Sequence, residues 1–143
     1  MADSPTGPGG YRQRAGLGNE ASYVVSGKPF ASGSINAMSG TAVRVAFPNV
    51  TRWVQIMNQD DDDGNYLLCA FSENGLATNN YFTLQDRASS TPGHTYLSME
   101  VKCTEMWFTG SADFDVIAGL TGIGVNEINH DGVINWSGSS GVG

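Results

Sequence analysis

Charge is scarce in this chain. Asp, Glu, Lys and Arg together make up 15% of its 143 residues, against roughly 25% in ordinary globular domains. A sparse charge fits a protein that hides surface against neighbours, although Ser, Thr and Asn also solvate a surface. Positive charge is scarcer still, with 7 basic against 14 acidic residues and a net charge of −7. That balance excludes a basic groove following a phosphate backbone. The nearest approach to a basic cluster is Arg12 with Arg14, so nucleic-acid contact is expected at most through the N-terminal segment.

Cysteine and histidine are as thin. The two cysteines, Cys69 and Cys103, are too few for a disulfide framework in a chain of this length. Each falls on the apolar phase of its run, beside Leu67 and Phe71 or beside Met99 and Val101, and the expectation is two buried free thiols. No hydrophobic stretch is long enough to cross a bilayer, and Met1–Gly10 carries neither a basic nor an apolar signal region. The sequons Asn49-Val50-Thr51 and Asn135-Trp136-Ser137 are therefore read as chance matches. A glycine-flanked nucleophile elbow is missing, as is a glycine-rich phosphate loop between a strand and a helix. No cofactor is expected.

What the chain does contain is a train of short runs between Thr41 and Leu120. Val43, Val45 and Phe47 alternate with Ala42, Arg44 and Ala46. Leu97, Met99, Val101 and Cys103 alternate with Tyr96, Ser98, Glu100 and Lys102. Period-two alternation is the pattern of a strand with one buried face. Further runs lie at Ser22–Val25, Arg52–Asn58, Tyr66–Phe71, Tyr81–Gln85 and Phe114–Leu120, with Ser32–Asn36 a polar stretch between the first two. Tyr96–Thr109 is too long for one flat strand, and a bulge or corner is expected near Thr104 and Glu105. No helical stripe is visible. About eight short strands with turn residues between them predict an all-β fold, an antiparallel β-sandwich or barrel. In Arg52–Asn58 and Tyr66–Phe71 both faces are apolar, which asks for cover on the outside as well.

The ends differ from the middle. Residues 1–19, rich in Gly and Pro with Tyr11 and Leu17 as anchors, read as an arm too poor in apolar surface to fold alone. Residues 20–123 are the expected sandwich. In 124–143, Val125–Ile128 and Val133–Trp136 flank Asp131-Gly132 as a small hairpin, followed by a Gly/Ser tail.

Few motifs carry chemistry. Asp60, Asp61, Asp62 and Asp63 precede Gly64 and could attract a cation, but the calcium-loop pattern fails: Gln59 falls at its first position and Ala70 at its twelfth. A hairpin turn at Asp63-Gly64 explains the run better. Asp113 and Asp115 share a strand face, a spacing open to acid/base work on a sugar or to simple exposure. Glu127, His130 and Asp131 are an incomplete metal set, and His94 stands apart in a loop. Trp53 and Trp107 lie inside apolar runs and are expected in the core. Trp136 is expected at an interface.

The stretch Lys102-Cys103-Thr104-Glu105-Met106-Trp107-Phe108-Thr109-Gly110, running into Asp115-Val116-Ile117-Ala118-Gly119-Leu120-Thr121-Gly122-Ile123, is similar to the last strand pair of single jelly-roll virion proteins of phages and large DNA viruses. The resemblance implies a single jelly roll of about eight strands and a minor capsid, penton or decoration protein located in the virion. It implies no catalytic residues. Expected partners are copies of the chain itself, as a trimer or pentamer, and other capsid proteins, with contacts through Tyr11, Arg12, Arg14 and Trp136. The alternatives are a carbohydrate-binding β-sandwich with Trp136 and Tyr66 or Tyr81 as its aromatic platform, and a cupin-like enzyme, which needs more histidines than two.

Overall fold

The computed structural model describes residues 27–37, 40–88 and 94–127. Among these residues eight strands run in chain order: β1 (Lys28–Asn36), β2 (Val43–Ala46), β3 (Asn49–Asn58), β4 (Tyr66–Ala70), β5 (Phe82–Gln85), β6 (Tyr96–Glu100), β7 (Glu105–Gly110) and β8 (Asp113–Gly124). One helix, α1 (Glu73–Ala77), joins β4 to β5, and a 3-10 turn, Val125–Glu127, follows β8. The strands form two four-stranded sheets, ordered β1-β8-β3-β6 and β2-β7-β4-β5. Every pairing is antiparallel. The chain is an all-β sandwich, as its alternation predicts.

The pairings nest. β1 pairs with β8, β2 with β7, β3 with β6 and β4 with β5. Two more ladders, β3–β8 and β4–β7, complete the sheets. Consecutive strands therefore change sheet at every connection except the one between β4 and β5. This corrects the hairpin expected at Asp63-Gly64. A turn is present and Gly64 has φ of +94°, but β3 and β4 lie in opposite sheets, so the turn carries the chain across the sandwich. Turn residues mark a reversal without saying whether the flanking strands pair.

The core lies between the sheets. From the first it takes Val54, Ile56, Phe114, Val116, Ala118 and Leu120; from the second Val45, Leu67, Cys69, Leu84, Met106 and Phe108. Phe108 and Phe114 meet across it with ring centroids 4.4 Å apart. The expected corner near Thr104 is a crossing from β6 to β7 over Val101–Thr104. Such a crossing leaves backbone groups outside any ladder, and buried Thr51 supplies their partners. Its hydroxyl donates to the Val101 carbonyl at 2.6 Å and accepts from the Cys103 amide at 3.1 Å. Unpaired, those two groups would each cost about 1–3 kcal/mol.

Several local expectations are corrected. Ser32–Asn36 is the second half of β1: at a sheet edge, backbone pairing with β8 holds a stretch in which Ile35 alone packs on the core. The register slips between Ser32 and Ile35, and Ser34 takes φ of +54°. Glu73–Ala77 is helical, although the sequence shows no helical stripe. Ser72 caps it by accepting from the Gly75 amide at 2.9 Å, and the same Ser, Asn and Gly signal serves turns and helix starts. Val125–Glu127 is a 3-10 turn and not the first strand of a hairpin; the rest of that hairpin, with Trp136, lies outside the described residues. So do Ser22–Val25 and the N-terminal arm with Tyr11, Arg12 and Arg14.

The two tryptophans within the sandwich are not core residues. Val54 and Ile56 point inward from β3, which sends Trp53 to the outer face. Met106 and Phe108 do the same in β7, placing Trp107 outside beside Arg44. Both indoles are half-buried.

Candidate functional site

One end of the sandwich concentrates acid. Asp60 to Asp63 follow β3, Asp86 follows β5, and Asp113 and Asp115 open β8. Asp60, Asp86 and Asp115 act as structural ties. Asp60 accepts from the Asp62 amide at 2.8 Å and from the Asn65 carboxamide at 3.0 Å through one oxygen. Its own amide donates to Asn58. Buried Asp86 receives the Gly64 amide at 3.0 Å and so anchors the β3–β4 connection to the next one. Asp61, Asp62 and Asp63 are exposed. Among the described residues no three His, Cys, Asp or Glu side chains are placed to hold a metal ion. His94 is exposed, and His130 and Asp131 lie outside the described residues.

Asp115 and Asp113 share the outer face, as their spacing requires, but Asp115 is engaged. It accepts from the Ser34 amide at 2.7 Å and from Gln59 at 2.8 Å. Arg87 in turn donates to Gln59 at 2.8 Å. The carboxylate thus holds the slipped register of β1, where a non-glycine residue sits at positive φ. Asp115→Ala removes both bonds and is expected to cost about 1–3 kcal/mol. Chemical denaturation reads that loss, and faster hydrogen exchange at Ser34 localises it. Unchanged stability and exchange would show that the bulge holds itself.

The thiols are both free and buried. Burial alone raises Cys69. It pushes Cys103 up to about 11, a rise that its side-chain hydrogen bond with Thr51 partly opposes. Neither is a nucleophile near neutral pH, because the thiolate is the reactive form. With a disulfide-exchange reagent at pH 8, both are expected to react only as fast as the protein opens. Rapid labelling of either in the native state would contradict that.

A cleft of about 210 Å³ opens beside β5, where Phe71, Tyr81 and Phe82 meet Asn79 and Asn80. Sequence reading found Tyr81 but not its company. Phe71 and Asn79 reach the cleft only through the folding of α1 and its exit turn. Tyr66, the other expected platform residue, is 45% exposed but belongs to the opposite end of β4 and does not line the cleft.

The outer faces of both sheets mix apolar and polar residues, with Leu68 between Thr109 and Thr83 on one of them. Around Trp107, the β2-β7-β4-β5 sheet carries the Arg44–Glu105 ion pair, Thr109 and Thr83, and α1 packs against its β4 and β7. Register lays three rows across the other sheet: Pro29, Gly119, Trp53, Glu100; then Ala31, Ile117, Gln55, Ser98; then Asp115, Met57, Tyr96. Trp53, Met57 and Ile117 are half-buried there, and Tyr96 is 61% exposed. No helix of the described residues is long and apolar enough to cross a membrane. Set against protein-family models, curated proteins and solved structures, the chain matches none.

Proposed function

We propose that this chain is a non-enzymatic structural subunit of a virus particle, a capsid, penton or head-decoration protein that assembles with itself and with other capsid proteins. The observation that carries the proposal is the nested strand order, β1-β8-β3-β6 over β2-β7-β4-β5. It is the order expected of a single jelly roll. Fold does not fix function, so the state of the reactive groups matters as well. The thiols are buried, and Asp60, Asp86 and Asp115 are spent on turns and a bulge. Trp53, Met57 and Ile117, half-buried on one outer face, are apolar surface for a neighbouring subunit to cover. Light scattering tests the proposal: a closed trimer or pentamer is expected, lost on removing residues 1–19 or 125–143. A strict monomer at all concentrations overturns it.

The cleft favours one second reading, a carbohydrate-binding module. Aromatic rings beside carboxamides and without charge suit the apolar face and hydroxyls of a sugar. A glycan array separates the two: specific sugar binding that survives removal of both ends and is lost in Tyr81→Ala would favour the module.

A further inference from the structure

We infer that the connection between β3 and β4 and the buried carboxylate of Asp86 together hold one calcium ion. The inference does not depend on how the chain assembles and concerns a single subunit. In the sequence a hairpin turn accounts for the acidic run. The structure removes that account, because β3 and β4 lie in opposite sheets. What it supplies is a second segment. The Arg87 amide donates to the Asp60 carbonyl at 2.8 Å, and the Asp86 carboxylate accepts from the Gly64 amide at 3.0 Å. Two successive residues after β5 therefore grip both ends of the acidic connection.

Asp86 itself points to the ligand. Its side chain is only 2% exposed. Oδ2 takes the Gly64 amide, while Oδ1, equally buried, has no hydrogen-bond partner among the described residues. The two oxygens share one carbon, so Oδ1 lies beside the acidic connection. A buried carboxylate oxygen without a donor is costly, and native folds leave few such atoms. The side chains of Asp60 to Asp63 cannot satisfy it, because ionised carboxylates only accept. Arg87, the neighbouring cation, donates to Gln59 at 2.8 Å instead. A bound cation satisfies Oδ1 and offsets the repulsion within the run at once.

The donors select the ion. All are oxygens, the set of a hard cation and not of zinc. Among the described residues no three acidic side chains converge, so one or two carboxylates act with peptide carbonyls and water. Calcium accepts such mixed ligands in loose geometry, whereas magnesium demands a near-ideal octahedron. The 12-residue calcium loop fails in this sequence because it draws its ligands from one segment. Here the buried ligand stands 22 positions beyond Gly64. So few converging charges set the expected dissociation constant at roughly 0.1–1 mM. The ion ties the β3–β4 connection to the β5–β6 connection, and both of these cross between the sheets.

The test is a calcium titration of the chelator-stripped full chain, read by calorimetry and by thermal melting at constant ionic strength. One ion per chain is expected, with Tm raised by about 3–10 °C in roughly 10 mM calcium. Magnesium at the same concentration is expected to give less than about a third of that shift. Asp86→Asn keeps an oxygen for the Gly64 amide, removes the charge and is expected to weaken calcium binding at least tenfold. Where that variant does not fold, Asp61→Asn with Asp62→Asn and Asp63→Asn, all at exposed positions, is expected to weaken it threefold or more. Equal shifts from calcium and magnesium mean diffuse screening of the acidic run and overturn the site. A full calcium response in either variant overturns it as well, as does a stripped chain that takes up no calcium. None of these results touches the subunit reading, which light scattering tests.

Discussion

Gly110→Ala is expected to cost this protein about 4 kcal/mol or more of its stability. Gly110 ends β7 with φ of +145°, and a Cβ there would stand 2.3 Å from the Tyr66 carbonyl oxygen and 3.3 Å from the Leu67 Cα. Those are backbone atoms of the paired strand β4, so no rotamer change relieves the clash. Gly110 is also the register partner of Leu67, a core residue. Moving the strands apart therefore breaks a ladder and opens the core together. The conformational strain alone costs about 1–3 kcal/mol. With the clash added, the loss should reach about 4 kcal/mol or more, the extreme of single substitutions, against a total stability of about 5–15 kcal/mol. Gly64→Ala is the control. Its φ of +94° is equally unfavourable, but nothing stands within 4 Å of the added Cβ, so only the strain remains. Urea denaturation of both variants decides the matter. If Gly110→Ala costs no more than Gly64→Ala, the close approach of β7 to β4 is wrong.

The second large effect is expected from Phe114→Ala. Phe114 and Phe108 are fully buried and come from opposite sheets, so their contact is part of what holds the sandwich shut. Truncating one ring in a packed interior removes its transfer energy and leaves a cavity, about 3–5 kcal/mol together. The rings lie 4.4 Å apart and tilted by 35°, so the two truncations should not add. The double variant with Phe108→Ala is expected to lose less than the sum, by about 0.5–1.5 kcal/mol. Denaturant midpoints of the two single variants and the double variant measure that coupling. Strict additivity would mean that the rings do not share one packing unit.

Much of the fold was legible because alternation is a local property. Val43, Val45 and Phe47, or Leu97 and Met99, carry their phase in a few consecutive residues. The break between β6 and β7 showed as a slip in that phase. The first strand was not visible: Lys28–Ala31 fell in no run, and in the polar stretch after it Ser32 and Asn36 are held by pairing with β8. The helix was hidden because five residues are too few for a helical period. The candidate sites were less legible still. The acidic run was plain in the sequence, but the tie from Asp86 to the Gly64 amide joins residues 22 positions apart. The engagement of Asp115 by Ser34 spans 81.

Composition and alternation by themselves determined that this chain is an all-β fold of short strands, poor in positive charge, with its thiols on buried phases. Each of these follows from residues next to one another. Only the tertiary structure decided which sheet each strand joins, and with it which of two apolar faces turns inward. In Arg52–Asn58, Val54 and Ile56 compete with Trp53 and Met57, and neither set is the more hydrophobic by a margin that settles the outcome. The opposing sheet settles it, because burial is gained only where another surface arrives. That left the indole of Trp53 on the outside.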